Sequence, residues 1–229
     1  MTNPAISICI PTYDANGAGP AVLSRLLQSI EEQSFKDYEV VISNHSALLS
    51  AEASGYKMLA YTEHQGNSAH NTNNAMSHAK GKYIKIMNHD DFFHHENVLR
   101  DMHHALENSD KRWTVCQCVH TDANETQLFN HHIPSWHGEK AMVEGVNRIG
   151  CPSVVMFERA LAVECDSDLA LCLDCALWID LFRAAGRPLL HNDVGVVIRM
   201  WDQQLSNQIN YPRSLEEDKV KMRAKYGHV

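Results

Sequence analysis

Lys82-Tyr83-Ile84-Lys85-Ile86-Met87-Asn88-His89-Asp90-Asp91-Phe92-Phe93 is the stretch from which the rest of the chain can be read. Residues 83–87 predict a strand, and it stops abruptly in the polar cluster Asn88-His89-Asp90-Asp91. Adjacent carboxylates repel one another, so this pair does little for stability by itself. It makes sense where a cation lies between the carboxylates and a ligand. Open α/β sheets bind ligands at the carboxyl ends of their strands. Magnesium or manganese is commonly held there by one or two carboxylates together with substrate phosphates. The bland alternative is that Asp90 or Asp91 caps a helix over residues 96–107. The stretch alone leaves both readings open.

Upstream, residues 5–10 form a short apolar run that predicts a buried strand stopped by Pro11. A Gly- and Asn-rich loop over 14–20 follows. Val22, Leu23, Leu26, Leu27 and Ile30 then recur at helical spacing, to about residue 33. A second strand is expected over 38–43, a short helix after residue 46, a third strand over 57–61 and a helix over 69–79. Strands alternating with helices, each strand ending in polar residues, predict a parallel sheet built on right-handed crossovers. No Gly-x-Gly-x-x-Gly follows the first strand, which argues against a dehydrogenase-type dinucleotide fold.

Downstream, a helix is expected over 98–107 and a strand over 113–120. Residues 121–135 read as a loop or hairpin, and 141–149 as a short helix. Strands follow over 152–157 and 194–200, separated by an amphipathic helix over 173–185 that Gly186 and Pro188 end. Residues 214–226 read as a charged helix or a frayed tail. No repeat, low-complexity segment or linker divides the chain, so 1–229 is expected to be one domain.

Composition narrows the function. A formal charge of −8 over 229 residues argues against general nucleic-acid binding, which needs a basic stripe. No charged-then-apolar leader and no membrane-length apolar run is visible, so a cytoplasmic protein without a transmembrane segment is expected. The seven cysteines read as free, buried thiols; Cys116-x-Cys118 and Cys172-x-x-Cys175 give only a weak zinc signal. Most of the fifteen histidines read as solvated surface; His89 and His94 stand apart because they neighbour the acidic cluster.

Six segments in order resemble the family 2 glycosyltransferases with the GT-A fold. They are Ser7-Ile8-Cys9-Ile10-Pro11-Thr12-Tyr13; Gln33 to Ile42; Gly66-Asn67-Ser68-Ala69 through Asn71 to Ile84; Asn88-His89-Asp90-Asp91; Asp174 with Leu177-Trp178; and Arg199 with Gln204-Leu205-Ser206. Any one is weak, but together they cover most of the chain. The resemblance implies an α/β GT-A domain with a mostly parallel nucleotide-binding sheet flanked by helices and a smaller acceptor-side portion. Residues 1–100 would bind the nucleotide-diphosphate sugar, and 101–229 would hold the acceptor and the catalytic base.

The resemblance also implies roles. Asp90 would ligate a divalent metal (Mn2+ or Mg2+), with Asp91 the second metal candidate, supporting it or positioning the donor. Asp174 would be the general base of an inverting single displacement; its bland alternative is a first-turn carboxylate favoured by the helix dipole. Pro11, Thr12, Tyr13, Asn44, Asn67, Asn71 and Asn88 would line the donor site. Pro152, Ser153 and Arg199 would lie on the acceptor side, facing a glycan or lipid-linked glycan. Two positions depart from the family: Asn88 replaces the first aspartate of the metal motif, and Ser43-Asn44 replaces an aspartate that accepts a hydrogen bond from uracil. An asparagine amide can both accept and donate, so uridine does not follow as the base. Two rival functions remain, a degenerate nucleotide- or glycan-binding module and a sugar nucleotidyltransferase. The second normally carries a basic glycine-rich loop, and residues 14–20 contain no Lys or Arg.

Overall fold

The first strand sets the frame. Ile6–Thr12 (β1) is buried at all seven positions, as an apolar run covered on both faces must be. It pairs in parallel with Tyr38–Asn44 (β2) on one side and with Tyr83–Ile86 (β4) on the other. Lys57–Ala60 (β3) extends the sheet beyond β2. The computed structural model describes residues 3–45, 56–61, 63, 66–204, 207 and 211–227. The short helix expected after residue 46, and Leu205-Ser206 of the closing motif, lie outside the described residues.

The remaining elements are Gly19–Glu31 (α1), Ser68–Ser77 (α2), Phe92–Phe93 (β5), Val98–Glu107 (α3), Trp113–Thr121 (β6) and Leu128–His132 (β7). Then come Glu139–Val143 (α4), Val155–Glu158 (β8), Leu173–Ala185 (α5), Leu189–Arg199 (β9) and Tyr211–Tyr226 (α6). Strand order is β3-β2-β1-β4-β8-β6-β9-β5, with β7 paired to β6. The four strands of the N-terminal half are mutually parallel, while β8, β5 and β7 run antiparallel to their neighbours. β6 and β9 return to the parallel direction, so the sheet is mostly parallel. α2 packs on β1 and β2, and α3 on β6 and β9. One hydrophobic core runs from Ile6 to Tyr226. Among the described residues, no helix is long and apolar enough to cross a membrane.

The chain leaves β1 for β2 and β3 on one side, then returns to β4 on the other. That reversal puts a topological switch point at the carboxyl ends of β1 and β4, where open sheets bind ligands. Thr12 ends β1, and Asn88 to Asp91 follow β4.

Several boundaries differ from expectation for visible reasons. β1 continues through Pro11 because its ladder with β4 ends at Cys9–Ile86, so the missing N–H falls where β2 is its one partner. The two-residue β5 carries no periodic signal, yet it pairs with β9 through Phe92–Val197 and Phe93–Val196. Residues 152–154 form one turn of 3-10 helix before β8. α6 is docked, with Asp218, Met222 and Tyr226 buried.

Candidate active site

At the end of β4, the two adjacent aspartates face different surroundings. Asp91 is 2% exposed. Its Oδ2 accepts from Ser153 Oγ (2.5 Å), Asn88 Nδ2 (3.3 Å) and Cys151 Sγ (3.6 Å). Ser153 Oγ in turn accepts from the Asn88 amide (2.9 Å). Beneath them Lys85, fully buried, donates to the Ser153 carbonyl and to the Ile86 carbonyl (3.2 Å). Burial pushes the Asp91 carboxyl up, and the charge of Asp90 adds to the effect. Burial also pushes the Lys85 ammonium down to about 8. Asp91 and Ser153 thus form an internal brace between β4 and β8, and neither presents a free surface. Neither aspartate caps α3, whose N-cap is Asn97.

Asp90 is partly exposed, and its Oδ2 accepts from Trp201 Nε1 (2.8 Å). Trp201 lies just beyond β9, in a segment that folds back over the strand ends. Within that segment the Gln203 carbonyl accepts from Tyr13 Oη (2.7 Å), and Gln203 Oε1 accepts from Asn16 Nδ2 (2.5 Å). His89, between Asn88 and Asp90, is buried edge-on to the Tyr13 ring, with centroids 4.8 Å apart. Burial lowers the His89 pKa. It also raises that of Tyr13 to about 12, with Asp90 contributing.

Asn71 Nδ2 donates to the Thr12 carbonyl (3.0 Å), which ties α2 to the end of β1. Thr12 Oγ1, Asn71 Oδ1 and His89 Nε2 are buried without a hydrogen-bond partner among the described residues. Unpaired buried polar atoms are costly and rare, and these three lie around one strand-end cluster. Asn44 is buried at the end of β2, in register with Thr12. Next to it His45 stacks on Tyr61, at 5.0 Å and 16°.

Asn67 has the simpler role: its Oδ1 caps α2 by accepting from the His70 amide (3.0 Å), and its Nδ2 donates to the Ser167 carbonyl (2.9 Å). Arg199, 7% exposed at the end of β9, donates to the Ala123 carbonyl (2.7 Å) and pairs with Glu125. Glu125 also pairs with Arg25 at 2.9 Å, so the two arginines pin the loop after β6. Pro152 is buried in the turn that carries Ser153.

Asp174 lies in the first turn of α5 and is partly buried. Its carboxylate accepts no hydrogen bond among the described residues, so it does not cap the helix. Desolvation alone pushes its pKa up to about 7. The Cys151 thiol, bonded to Asp91, lies within electrostatic reach of Asp174 as well. The α5 carboxylate therefore belongs to the same neighbourhood as the β4 end.

Metal-binding capacity follows from the donor set. Among the described residues no group of three or more His, Cys, Asp or Glu side chains converges as a metal cage. Of the two adjacent aspartates after β4, Asp90 is the accessible one. One protein carboxylate fits a divalent ion that takes its other ligands from diphosphate oxygens and water, and it does not fit a structural ion held by protein alone. Sequence reasoning missed Trp201, Gln203 and Lys85. Its one usable signal was an aromatic residue two positions beyond Arg199.

A mostly parallel sheet flanked by helices, with an acidic strand end at its switch point, has the architecture of the GT-A glycosyltransferase fold. The chain belongs to glycosyl transferase family 2, whose model matches residues 7–165. It is similar to the crystal structure of S. aureus TarS 1-349 in complex with UDP-GlcNAc, with a TM-score of 0.74 and 14% identity. That match covers 96% of this chain and 66% of TarS 1-349. It is also similar to the mannosyltransferase PcManGT from Pyrobaculum calidifontis in complex with GDP-Man and Mn2+. There the TM-score is 0.59 at 14% identity, covering 98% of this chain and 75% of the other. A curated relative, the uncharacterized protein y4gI of Sinorhizobium fredii (strain NBRC 101917 / NGR234), is 23% identical over 178 residues. Those residues are 72% of this chain and 18% of the relative, so the chain spans under a fifth of that protein and about two thirds of TarS 1-349.

Proposed function

We propose that the chain moves a hexose or related sugar from a nucleotide diphosphate to a hydroxyl of a glycan or lipid-linked glycan, with inversion at the anomeric carbon. The observation that carries the reading is Asp174. A partly exposed carboxylate without a hydrogen-bond partner among the described residues, held near pKa 7, is suited to general-base work at neutral pH. It takes the acceptor proton as the acceptor oxygen attacks the anomeric carbon from the face opposite the leaving diphosphate.

Residues 1–100 bind the donor. Pro11, Thr12 and Tyr13, with Asn44, Asn71 and Asn88, line the nucleoside side, and Tyr13 offers the base a ring face. Thr12 Oγ1 and Asn71 Oδ1 supply polar atoms that have no partner among the described residues. Asn67 acts indirectly, by capping the helix that carries Asn71. Asp90 is the residue that would hold a divalent ion, and such an ion when bound neutralises charge on the departing diphosphate. Asp91, through Ser153 and Asn88, fixes the strand end that presents Asp90. Residues 101–229 supply the acceptor side, where Pro152 and Arg199 shape the wall and the loop over it. The neighbours' donors, UDP-GlcNAc and GDP-Man, make nucleotide sugars the first class to try. A cytoplasmic, membrane-peripheral role in surface polysaccharide assembly fits a lipid-linked acceptor.

Release of UDP or GDP from a panel of sugar nucleotides with Mn2+ tests this reading, using wild type and Asp174→Asn. Turnover of one donor, reduced by a factor on the order of 100 or more in the variant, is expected. Equal turnover in the two proteins would remove Asp174 from the chemistry. Proton NMR of the new glycosidic bond reads inversion directly.

A further inference from the structure

α6 reads in the sequence as a charged helix or a frayed tail, yet one of its carboxylates, Asp218, is 1% exposed. Its Oδ2 accepts from three consecutive backbone amides, those of Ala170 (2.9 Å), Leu171 (2.6 Å) and Cys172 (2.9 Å). These amides form the turn that delivers the chain into α5, and Asp174 is two residues past the last of them. Successive amides converging on one anion make a strong, charge-assisted arrangement. Cys172, at the N-cap of α5, contributes no side-chain cap bond of its own. Lys221, the cation beside Asp218, stays 3.9 Å from Oδ1, so the amides are the closer partners of this charge.

The rest of α6 grips the same region. Tyr226 Oη donates to Asp180 Oδ2 (3.0 Å), and Lys225 Nζ donates to Asp166 Oδ2 (2.8 Å). α6 thus grips α5 in mid-helix at Asp180 and the loop ahead of α5 at Asp166, besides the turn at residues 170–172.

We propose that Asp218 is a positioning residue for the general base: from α6 it locks the turn at residues 170–172 and thereby fixes the first turn of α5 and the carboxylate of Asp174. The inference rests on the reading of Asp174 as that base. The other titratable groups around Asp174 are the thiols of Cys151 before β8, of Cys165 in the loop before α5, and of Cys172 and Cys175 on α5. Burial raises all four, so they are neutral at pH 7 and cannot substitute for the anion. Removing Asp218 would bare three amide dipoles beside the α5 entrance and admit water to the turn. Both changes favour the charged form of Asp174.

The test is a pH titration of aspartate carboxyl carbons by NMR in wild type, Asp218→Ala and Asp218→Asn, with Asp174→Asn assigning the resonance. The wild-type Asp174 midpoint is expected near 7, as desolvation sets it. In Asp218→Ala the midpoint should move down, with the acid constant rising at least tenfold. In Asp218→Asn, which keeps an oxygen for the amides and loses the charge, it should fall by less. If Asp218→Ala does not fold, the Asn variant decides alone. A wild-type midpoint near 7 that stays unmoved in the folded variants overturns the role of Asp218. A wild-type midpoint near 4 overturns the base reading and, with it, this inference.

Discussion

Asp90 and Asp174 are both carboxylates near one site, and their surroundings separate them. Asp174 has its proton affinity raised by burial to about 7, against an ordinary value of 3.8. Between those values the folded protein keeps a proton that the unfolded chain has released. Stability therefore falls as pH rises through this window, and the penalty is complete above pH 7. Asp174→Asn should accordingly be more stable than wild type at pH 8 by about 2 kcal/mol, less than the full shift implies because the carboxyl keeps some exposure to water. The gain should vanish at pH 4; thermal unfolding at the two pH values checks it. The same carboxylate predicts donor turnover that rises with pH up to about 7. At Asp90, one carboxylate oxygen, Oδ2, accepts from Trp201 Nε1. Trp201→Phe removes that competing donor, worth about 1 kcal/mol. Mn2+ binding in the presence of UDP, read by electron paramagnetic resonance of free Mn2+, should tighten by roughly fivefold; weaker binding would instead give Trp201 a supporting role.

Elements with strong local signals were legible, and α3 and α5 begin and end where periodicity and terminators place them. The parallel half was legible because both faces of its strands are covered, which leaves continuous apolar runs that end in polar tips. β5 was not, since two phenylalanines become a strand only by meeting β9 a hundred residues later. Nor was the docking of α6, whose charged sequence hides the one carboxylate that turns inward. Close packing at element scale yields a further prediction. A Cβ at Gly81, in the turn before β4, would lie 2.6 Å from the Ser7 amide nitrogen and 2.7 Å from the Ile6 carbonyl carbon. These are backbone atoms of β1 and cannot swing aside. Gly81→Ala should destabilise by about 1–3 kcal/mol, measured by chemical denaturation. Nucleotide affinity of the folded fraction should be unchanged, because the clash lies at the opposite end of β1 from Thr12.

For the whole molecule, the reversal of strand order puts the ends of β1 and β4 together and so collects a site from residues spread over the chain. The acidic motif and the first strand's Pro-Thr-Tyr were visible in sequence because each is contiguous. The contacts that finish the site were not, since Trp201 meets Asp90 across 111 positions and Ser153 meets Asp91 across 62. No local pattern encodes either meeting. In the proposed function, this switch point binds a nucleoside diphosphate through a metal held by Asp90. Calorimetric titration of UDP, GDP, CDP and dTDP into wild type and Asp90→Ala, each with and without Mn2+, tests it most directly. Mn2+-dependent binding of at least one of the four is expected, weakened tenfold or more in the variant, on the order of the 1.4 kcal/mol that one such factor represents. No binding of any of them by the folded protein, or binding indifferent to both Mn2+ and Asp90, would contradict it.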